Sequence, residues 1–372
     1  MLALKIKKED LAKGVAQTSA IAEKRSSIPI LSNILLDADG SELKLAATDM
    51  EISFQGSYPA EVMESGRLTV PAKKLNELVR QLNTDEVSLA ENANFTLGLT
   101  AGQFNTQMYG LSPMDFPQLP LVDNGQYIEV DGSELAGAID KTIFSVAHEE
   151  QRYNLAGIYL EKVEYEGRLG LRLVSTDGHR LNLTTLYPRK LTNLELTKGV
   201  LVSKKGLSEL KRLAENSETL QFGLAGGSLV ARNKNAVLIM RLLDGRFPDY
   251  NLVLPKDNSK HLLAVRKDLL EALKRIVIMS SDEYKTIKFA LAPGQLIISS
   301  MAPDLGQAQE RLEVEYADEP LESGFNPRFF IEALNALVSE KVKISFSLPS
   351  SPALITAAED PGYSGVIMSM KI

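Results

Sequence analysis

The sequence predicts an α+β chain of three similar domains, and three observations carry that reading. The first is a junction at which a short apolar strand end meets a helix. Thr69-Val70-Pro71-Ala72-Lys73-Lys74-Leu75-Asn76-Glu77-Leu78 returns as Leu201-Val202-Ser203-Lys204-Lys205-Gly206-Leu207-Ser208-Glu209-Leu210. A looser third copy is Gly324-Phe325-Asn326-Pro327-Arg328-Phe329-Phe330-Ile331-Glu332-Ala333. The second is a closing landmark, Asp115-Phe116-Pro117 and again Arg246-Phe247-Pro248. Lys73 to Lys204 and Phe116 to Phe247 both span 131 positions, which ties two independent landmarks to one repeat. The third is another helix opening, seen at Lys8-Glu9-Asp10-Leu11, Gly132-Ser133-Glu134-Leu135 and Arg266-Lys267-Asp268-Leu269.

Each element follows from local patterning. Leu75, Leu78, Val79 and Leu82 recur at helical spacing behind the Pro71 start signal. The other helix openings each head an amphipathic segment of about four to five turns. Alternating stretches such as Leu43–Ala47 and Leu171–Ser175 read as strands, and Asp39-Gly40, Gly226-Gly227 and Pro293-Gly294 as their turns. A repeat therefore holds two helices and about eight short strands. Pro-bearing stretches near 117–127 and 248–260 serve as linkers, giving domains 1–124, 125–254 and 255–372.

Composition removes whole classes of chemistry. The 372 residues include no Cys, which excludes disulfides, thiolate nucleophiles and iron–sulfur clusters. His148, His179 and His261 are too far apart in sequence to suggest a paired metal site, and no cofactor is expected. The N-terminus lacks a signal peptide's apolar core and no stretch is apolar enough to span a bilayer, so a cytoplasmic protein without membrane association is expected.

Local motifs give little sign of catalysis. Gly223-Leu224-Ala225-Gly226-Gly227-Ser228 lacks the Lys-Ser/Thr of a phosphate loop and reads as a hairpin turn. Asp177-Gly178-His179-Arg180 gathers an acid, a histidine and an arginine, but no activated nucleophile accompanies it. It reads better as a strand-end turn presented to solvent or to a partner. Glu149-Glu150 and Glu359-Asp360 read as solvated surface. The C-terminal Gly365–Ile372 is apolar and contains methionine, so one strand face is buried and the other suits an adaptable peptide surface.

Charge is unevenly spread. The chain carries 41 Lys+Arg against 48 Asp+Glu, a net −7, which taken alone argues against a nucleic-acid partner. Segments 5–25, 73–82, 131–148, 203–214, 265–278 and 326–343, read as helical, together hold +9, leaving −16 elsewhere. Helices turned to one surface would make it attractive to phosphates without reading sequence.

In order and spacing, several stretches resemble the bacterial sliding-clamp family, the β subunits of DNA polymerase III. They are Ile28-Pro29-Ile30-Leu31, Thr48-Asp49, Asp115-Phe116-Pro117, Arg152-Tyr153, Thr176–Leu181, Asp244–Tyr250 and Met368–Ile372. The resemblance covers the whole chain and implies three clamp domains, each with two helices on antiparallel sheets. It implies a head-to-tail homodimer closed into a six-domain ring, with helices lining a hole that encircles double-stranded DNA. The implied role is a non-catalytic processivity factor that tethers the polymerase III catalytic subunit. Other implied partners are further polymerases, the clamp loader, mismatch-repair proteins and ligase.

By the same resemblance, Arg25, Lys73, Tyr153, Lys204 and Lys205 are expected DNA contacts. A partner-peptide pocket is expected from Leu155, Thr176, Gly178, His179, Arg180, Leu181, Pro248, Val253, Val366, Met368 and Met370. Met108 on one side and Ile278 and Met279 on the other are the expected dimer contacts. Glu149 and Asn154 replace the Gln and Tyr of well-known clamps, and a carboxylate at 149 repels phosphate unless paired. Leu252 and Ser369 replace Arg and Pro, so peptide preference is expected to differ in detail. Two rival readings are an enzyme using Asp177 and His179, and an interaction scaffold that never meets DNA.

Overall fold

A computed structural model describes residues 1–22, 27–120, 122, 125–147, 153–165, 167–280, 285–303 and 305–372, the side chain of Tyr153 excepted. Among these residues are six α-helices: α1 (Lys8–Ile21), α2 (Ala72–Gln81), α3 (Gly132–Asp140), α4 (Lys204–Glu215), α5 (Arg266–Ile278) and α6 (Pro327–Ala336). Twenty-four strands accompany them, eight in each repeat. The described strand registers are antiparallel throughout, so the α+β class and the two-helix repeat hold.

The helices form where the apolar spacing places them. α1 buries Leu11, Val15, Thr18 and Ile21 on one face and carries Glu9 and Asp10 in its first turn, where the helix dipole favours acids. α2 buries Ala72, Leu75 and Val79. α6 starts at Pro327, with the Asn326 side chain accepting from the Arg328 N–H at 3.0 Å. Phe330 of α6 joins Phe289 and Phe325 in an aromatic cluster, with ring centroids 5.1 and 5.3 Å from its own.

Three expected helices are shorter, and the first, α1, begins only at Lys8. α3 ends at Asp140, and Thr142 Oγ1 then donates to the carbonyls of Ala138 and Ile139 before the 3-10 turn Ile143–Ser145. α6 ends at Ala336, and Asp360 Oδ2 captures the N–H groups of Val338 and Ser339 beyond it. Lys341 and Lys343 therefore lie on a strand, as do Lys5 and Lys7. Counted on the six helices as they form, the surplus is +4 rather than +9. The sign survives, but more than half the excess came from flanking strands and from Lys24 and Arg25, outside the described residues.

The chain packs as two compact units. The first comprises 1–133, 192–195 and 208–242; the second comprises 134–191, 196–207 and 243–372. Hydrogen bonding across the repeats accounts for each. In the first unit, strand Ile52–Glu64 pairs with Glu42–Thr48 of its own repeat and, through Ile52–Gly56, with Ala236–Met240 of the next. In the second, Arg180–Leu183 pairs with Ser364–Ile367, so one ladder joins the central and C-terminal repeats. A separate four-stranded sheet there has Gly306–Glu313 at one edge. The glycine run turns between Thr219–Ala225 and Ser228–Arg232, with Gly226 and Gly227 at φ 55° and 74°, as a tight hairpin requires.

Gly14 shows why α1 tolerates a glycine in its middle. A Cβ there would lie 2.5 Å from the Tyr58 ring and 2.6 Å from Leu45, and Tyr58 donates to Gln17 Oε1 at 2.7 Å. Gly14→Ala is therefore expected to lower thermal stability. Overpacking of about 1–3 kcal/mol outweighs the roughly 1 kcal/mol of helix propensity gained. A thermal melt with an unchanged or raised midpoint would refute the tight contact.

Candidate partner groove and nucleic-acid face

The turn Thr176–Arg180 connects strands Arg168–Thr176 and Arg180–Leu186. Thr176 Oγ1 donates to the Arg180 carbonyl at 2.6 Å and accepts from the Gly178 N–H at 3.1 Å. Asp177 Oδ1 accepts from the N–H groups of His179 and Arg180 at 3.0 and 3.1 Å. Gly178 adopts φ 88°, a conformation that costs glycine little. The same bonds recur in the first repeat, where Thr48 Oγ1 donates to Ile52 O and Asp49 Oδ1 accepts from the Glu51 and Ile52 N–H groups. Met50 there takes φ 75° in the place of Gly178.

This turn forms one wall of an apolar cavity of about 170 Å³ within the second unit. Its lining is Leu155, Thr176, Gly178, Arg180, Leu181, Pro248, Asp249, Tyr250, Val253, Val366 and Met368. Nine of the eleven residues marked in the sequence thus meet at one site. His179 and Met370 stay outside the lining. The His179 side chain is exposed, and its backbone carbonyl accepts from the Met368 N–H at 3.0 Å, tying the turn to the C-terminal segment. Met370 bonds through its N–H to the Gly324 carbonyl at 2.8 Å and accepts from Thr286 Oγ1 at its sulfur.

Beneath the lining, Leu155, Leu181, Val366 and Tyr250 pack with Val174, Leu183, Leu201 and Phe247. Phe247 stacks on Tyr159 with centroids 5.0 Å apart. Tyr250, which the sequence reading left without a role, donates to Glu161 and accepts from Arg172 Nη1 at 3.2 Å. Burial first, then the bond to Glu161, pushes its phenol up to about 12, so it stays a neutral donor at physiological pH. Asp249 caps the 3-10 turn Tyr250–Leu252 by accepting from the Asn251 N–H. The Leu252 side chain beyond it is 82% exposed.

Arg180 is buried beside the cavity. Its Nε donates to Asp177 Oδ2 at 3.1 Å, its Nη2 to the Phe144 carbonyl at 2.7 Å, and its Nη1 to Glu332. Asp177 thus orients an arginine through its carboxylate and holds backbone N–H groups, which is structural work rather than the alignment of an imidazole for base catalysis. A second bridge, more deeply buried, joins the same two repeats. Lys141 Nζ lies 2.8 Å from Asp360 Oδ1, and Ser339 donates twice to Oδ2. Burial raises the Asp360 pKa, but the bonds from Lys141 and Ser339 outweigh it and hold the group below the ordinary carboxylate value.

The cationic residues marked for DNA are placed differently from one another. Arg25 and Glu149 lie outside the described residues, and Tyr153 opens the 3-10 turn Tyr153–Leu155. Lys73 projects from α2 with its side chain 75% exposed and Glu77 3.8 Å away. In the first unit, Lys13, Lys73, Arg80 and Arg212 share a cleft of about 880 Å³ with Glu77 and Glu209. Exposed pairs of this kind are worth little and exchange readily for phosphate. Lys205 is exposed at the start of α4, whereas Lys204 is half-buried. Burial, then the charge of Arg180, holds Lys204 below its ordinary pKa. Of the two, Lys205 is the better placed for a phosphate.

The expected dimer contacts lie on a strand and at a helix end. Met108 is half-buried on Phe104–Tyr109, a strand registered on one side against Thr96–Ala101. Ile278 ends α5 and is 75% exposed. Met279 follows it, half-buried, with its carbonyl accepting from Ser300 Oγ at 2.8 Å. Among the described residues, no helix is long and apolar enough to cross a membrane.

Comparison with known proteins covers the chain end to end. The DNA polymerase III beta subunit N-terminal, central and C-terminal domains match residues 2–120, 129–249 and 251–371. A protein named Beta sliding clamp from Caulobacter vibrioides is 34% identical over 374 residues, covering 99% of this chain and all of the relative. The crystal structure of a DNA polymerase sliding clamp from Caulobacter crescentus superposes with a TM-score of 0.91 at 34% identity, with both chains fully covered. A Bartonella birtlesii sliding clamp bound to griselimycin gives 0.93 at 30% identity, again over both whole chains. With three matched domains and a full-length relative, the chain belongs to the family of DNA polymerase III beta subunits, the bacterial sliding clamps.

Proposed function

We propose that two copies of this chain join head to tail into a six-domain ring that encircles duplex DNA. The chain is a DNA sliding clamp, a non-catalytic processivity factor that partners DNA and polymerase III. Domain boundaries at 124 and 254 are proposed for it, close to the gaps between the matched regions. The observation that carries the tethering role is the convergence of nine widely spaced residues on one apolar cavity. Such a cavity suits leucine or aromatic anchors of a partner peptide. The polymerase would occupy it first, with the clamp loader, other polymerases, mismatch-repair proteins and ligase as further users, in the cytoplasm.

Retention on DNA in this reading is topological. Exposed cations such as Lys73 and Lys205 would touch phosphates weakly and without sequence preference, which permits sliding. Ring closure would set the margin strand Phe104–Tyr109 of one subunit against Gly306–Glu313 and the end of α5 of the next, a heterologous contact that closes by rotation. The test is retention after loading. The protein is expected to stay on nicked circular DNA and to leave within minutes once that DNA is linearised. Equal retention on linear DNA with free ends would overturn the topological mechanism.

A further inference from the structure

Arg180 supplies the cation of the peptide cavity, yet its guanidinium is already engaged. Asp177, Glu332 and the Phe144 carbonyl accept from three different nitrogens, and the residue is 7% exposed. The Phe329 ring lies 4.4 Å from the guanidinium carbon and the Phe144 ring 5.3 Å. Glu332 and Phe329 both sit on α6, while Arg180, Asp177 and Phe144 belong to the central repeat. Glu332 itself does not line the cavity, and its side chain is 45% exposed.

We infer that Glu332 is a positioning residue for peptide recognition: it draws Arg180 onto α6, so that the cavity wall offers no open cation and selects apolar anchors over acidic ones. The inference rests on the groove reading above. A guanidinium has five N–H donors in a fixed fork, and a carboxylate ligand needs two adjacent ones for a bidentate pair. With Asp177 and Glu332 on different nitrogens, that fork is divided between two carboxylates of the protein. An acidic anchor entering the cavity would meet a guanidinium whose charge two carboxylates already balance, whereas a leucine has only to fill space. Lys204 lies in the same field, its ammonium lowered by burial and by Arg180 and raised again by Glu332.

The test uses the full-length protein and two labelled peptides that differ at one anchor, leucine in one and glutamate in the other. Wild type is expected to bind the leucine peptide and to discriminate against the glutamate peptide. Glu332→Gln is expected to weaken the leucine peptide by about three- to tenfold, because a nearly buried guanidinium loses a charged partner. The same change should strengthen the glutamate peptide, reducing the selectivity ratio by roughly tenfold or more. Glu332→Asp should recover part of the ratio. Since the ratio is taken on one preparation, any unfolded fraction cancels. An unchanged ratio in Glu332→Gln overturns the inference while leaving the groove intact. If wild type fails to bind the leucine peptide, or binds it equally well after Met368→Ala, the groove reading fails and this inference fails with it.

Discussion

Ile278→Asp combined with Met279→Asp is expected to convert the dimer into a monomer that is lost from circular and linear DNA alike. Ile278 is the last residue of α5 and is 75% exposed, so its side chain adds little to the fold of its own subunit. Met279 contributes a backbone carbonyl to Ser300, a bond that survives substitution. A melt of the isolated chain should therefore move little. Within the proposed interface, two carboxylates would be desolvated against Met108 and its neighbours on Phe104–Tyr109. Unpaired buried charge costs several kcal/mol, enough to raise the dimer dissociation constant by about a hundredfold or more. Sedimentation at micromolar protein distinguishes the states. A dimer of undiminished affinity would place the interface elsewhere.

The second large effect concerns the groove. Leu155→Ala with Met368→Ala should weaken an anchor peptide by about thirty- to a hundredfold, as expected when two hot-spot contacts are truncated together. Both residues line the cavity. Met370→Ala should change that affinity by less than about twofold, since single contacts outside a buried hot spot contribute little. Met370 faces Thr286 and Gly324 and does not line the cavity. Titration calorimetry with one peptide and the separate variants decides the matter. A loss in Met370→Ala equal to that in Met368→Ala would show that the bound peptide reaches past the cavity.

Much of this was legible because repeated local rules constrain a chain strongly. The helix starts at Lys8, Lys204, Arg266 and Pro327 fall where apolar spacing and start signals place them. Helix ends were less legible. Nothing at Ala336 in the local pattern stops α6; the stop comes from Asp360, twenty-four residues on, capturing Val338 and Ser339. That misplaced end, with the strand lysines beside α1, inflated the apparent charge of the helices. At the groove, Leu155, Leu181 and Val366 could be marked one by one. Tyr250 and Glu332 could not be assigned roles, because these depend on Glu161, Arg172 and Arg180 meeting them through tertiary pairing. The His179 carbonyl, which accepts from the Met368 N–H, is likewise a contact set by tertiary pairing and not by residue type.

The paired turns Thr48–Ile52 and Thr176–Arg180 bear on how such a chain diversifies. Both hold their backbone through the threonine hydroxyl and the aspartate carboxylate, and what the two closing residues share is an N–H and a carbonyl; Arg180 Nε adds a bond to Asp177 Oδ2 that Ile52 cannot make. The first copy makes the same bend without that bond, so the bend does not depend on the closing side chain. In one copy it is Ile52, buried in the first unit; in the other it is Arg180, buried in the second unit where it lines the apolar cavity. A duplicated ancestor with this turn could therefore specialise one copy by changing a single codon without first relearning how to make the bend. Swapping the two side chains asks how far those histories have parted.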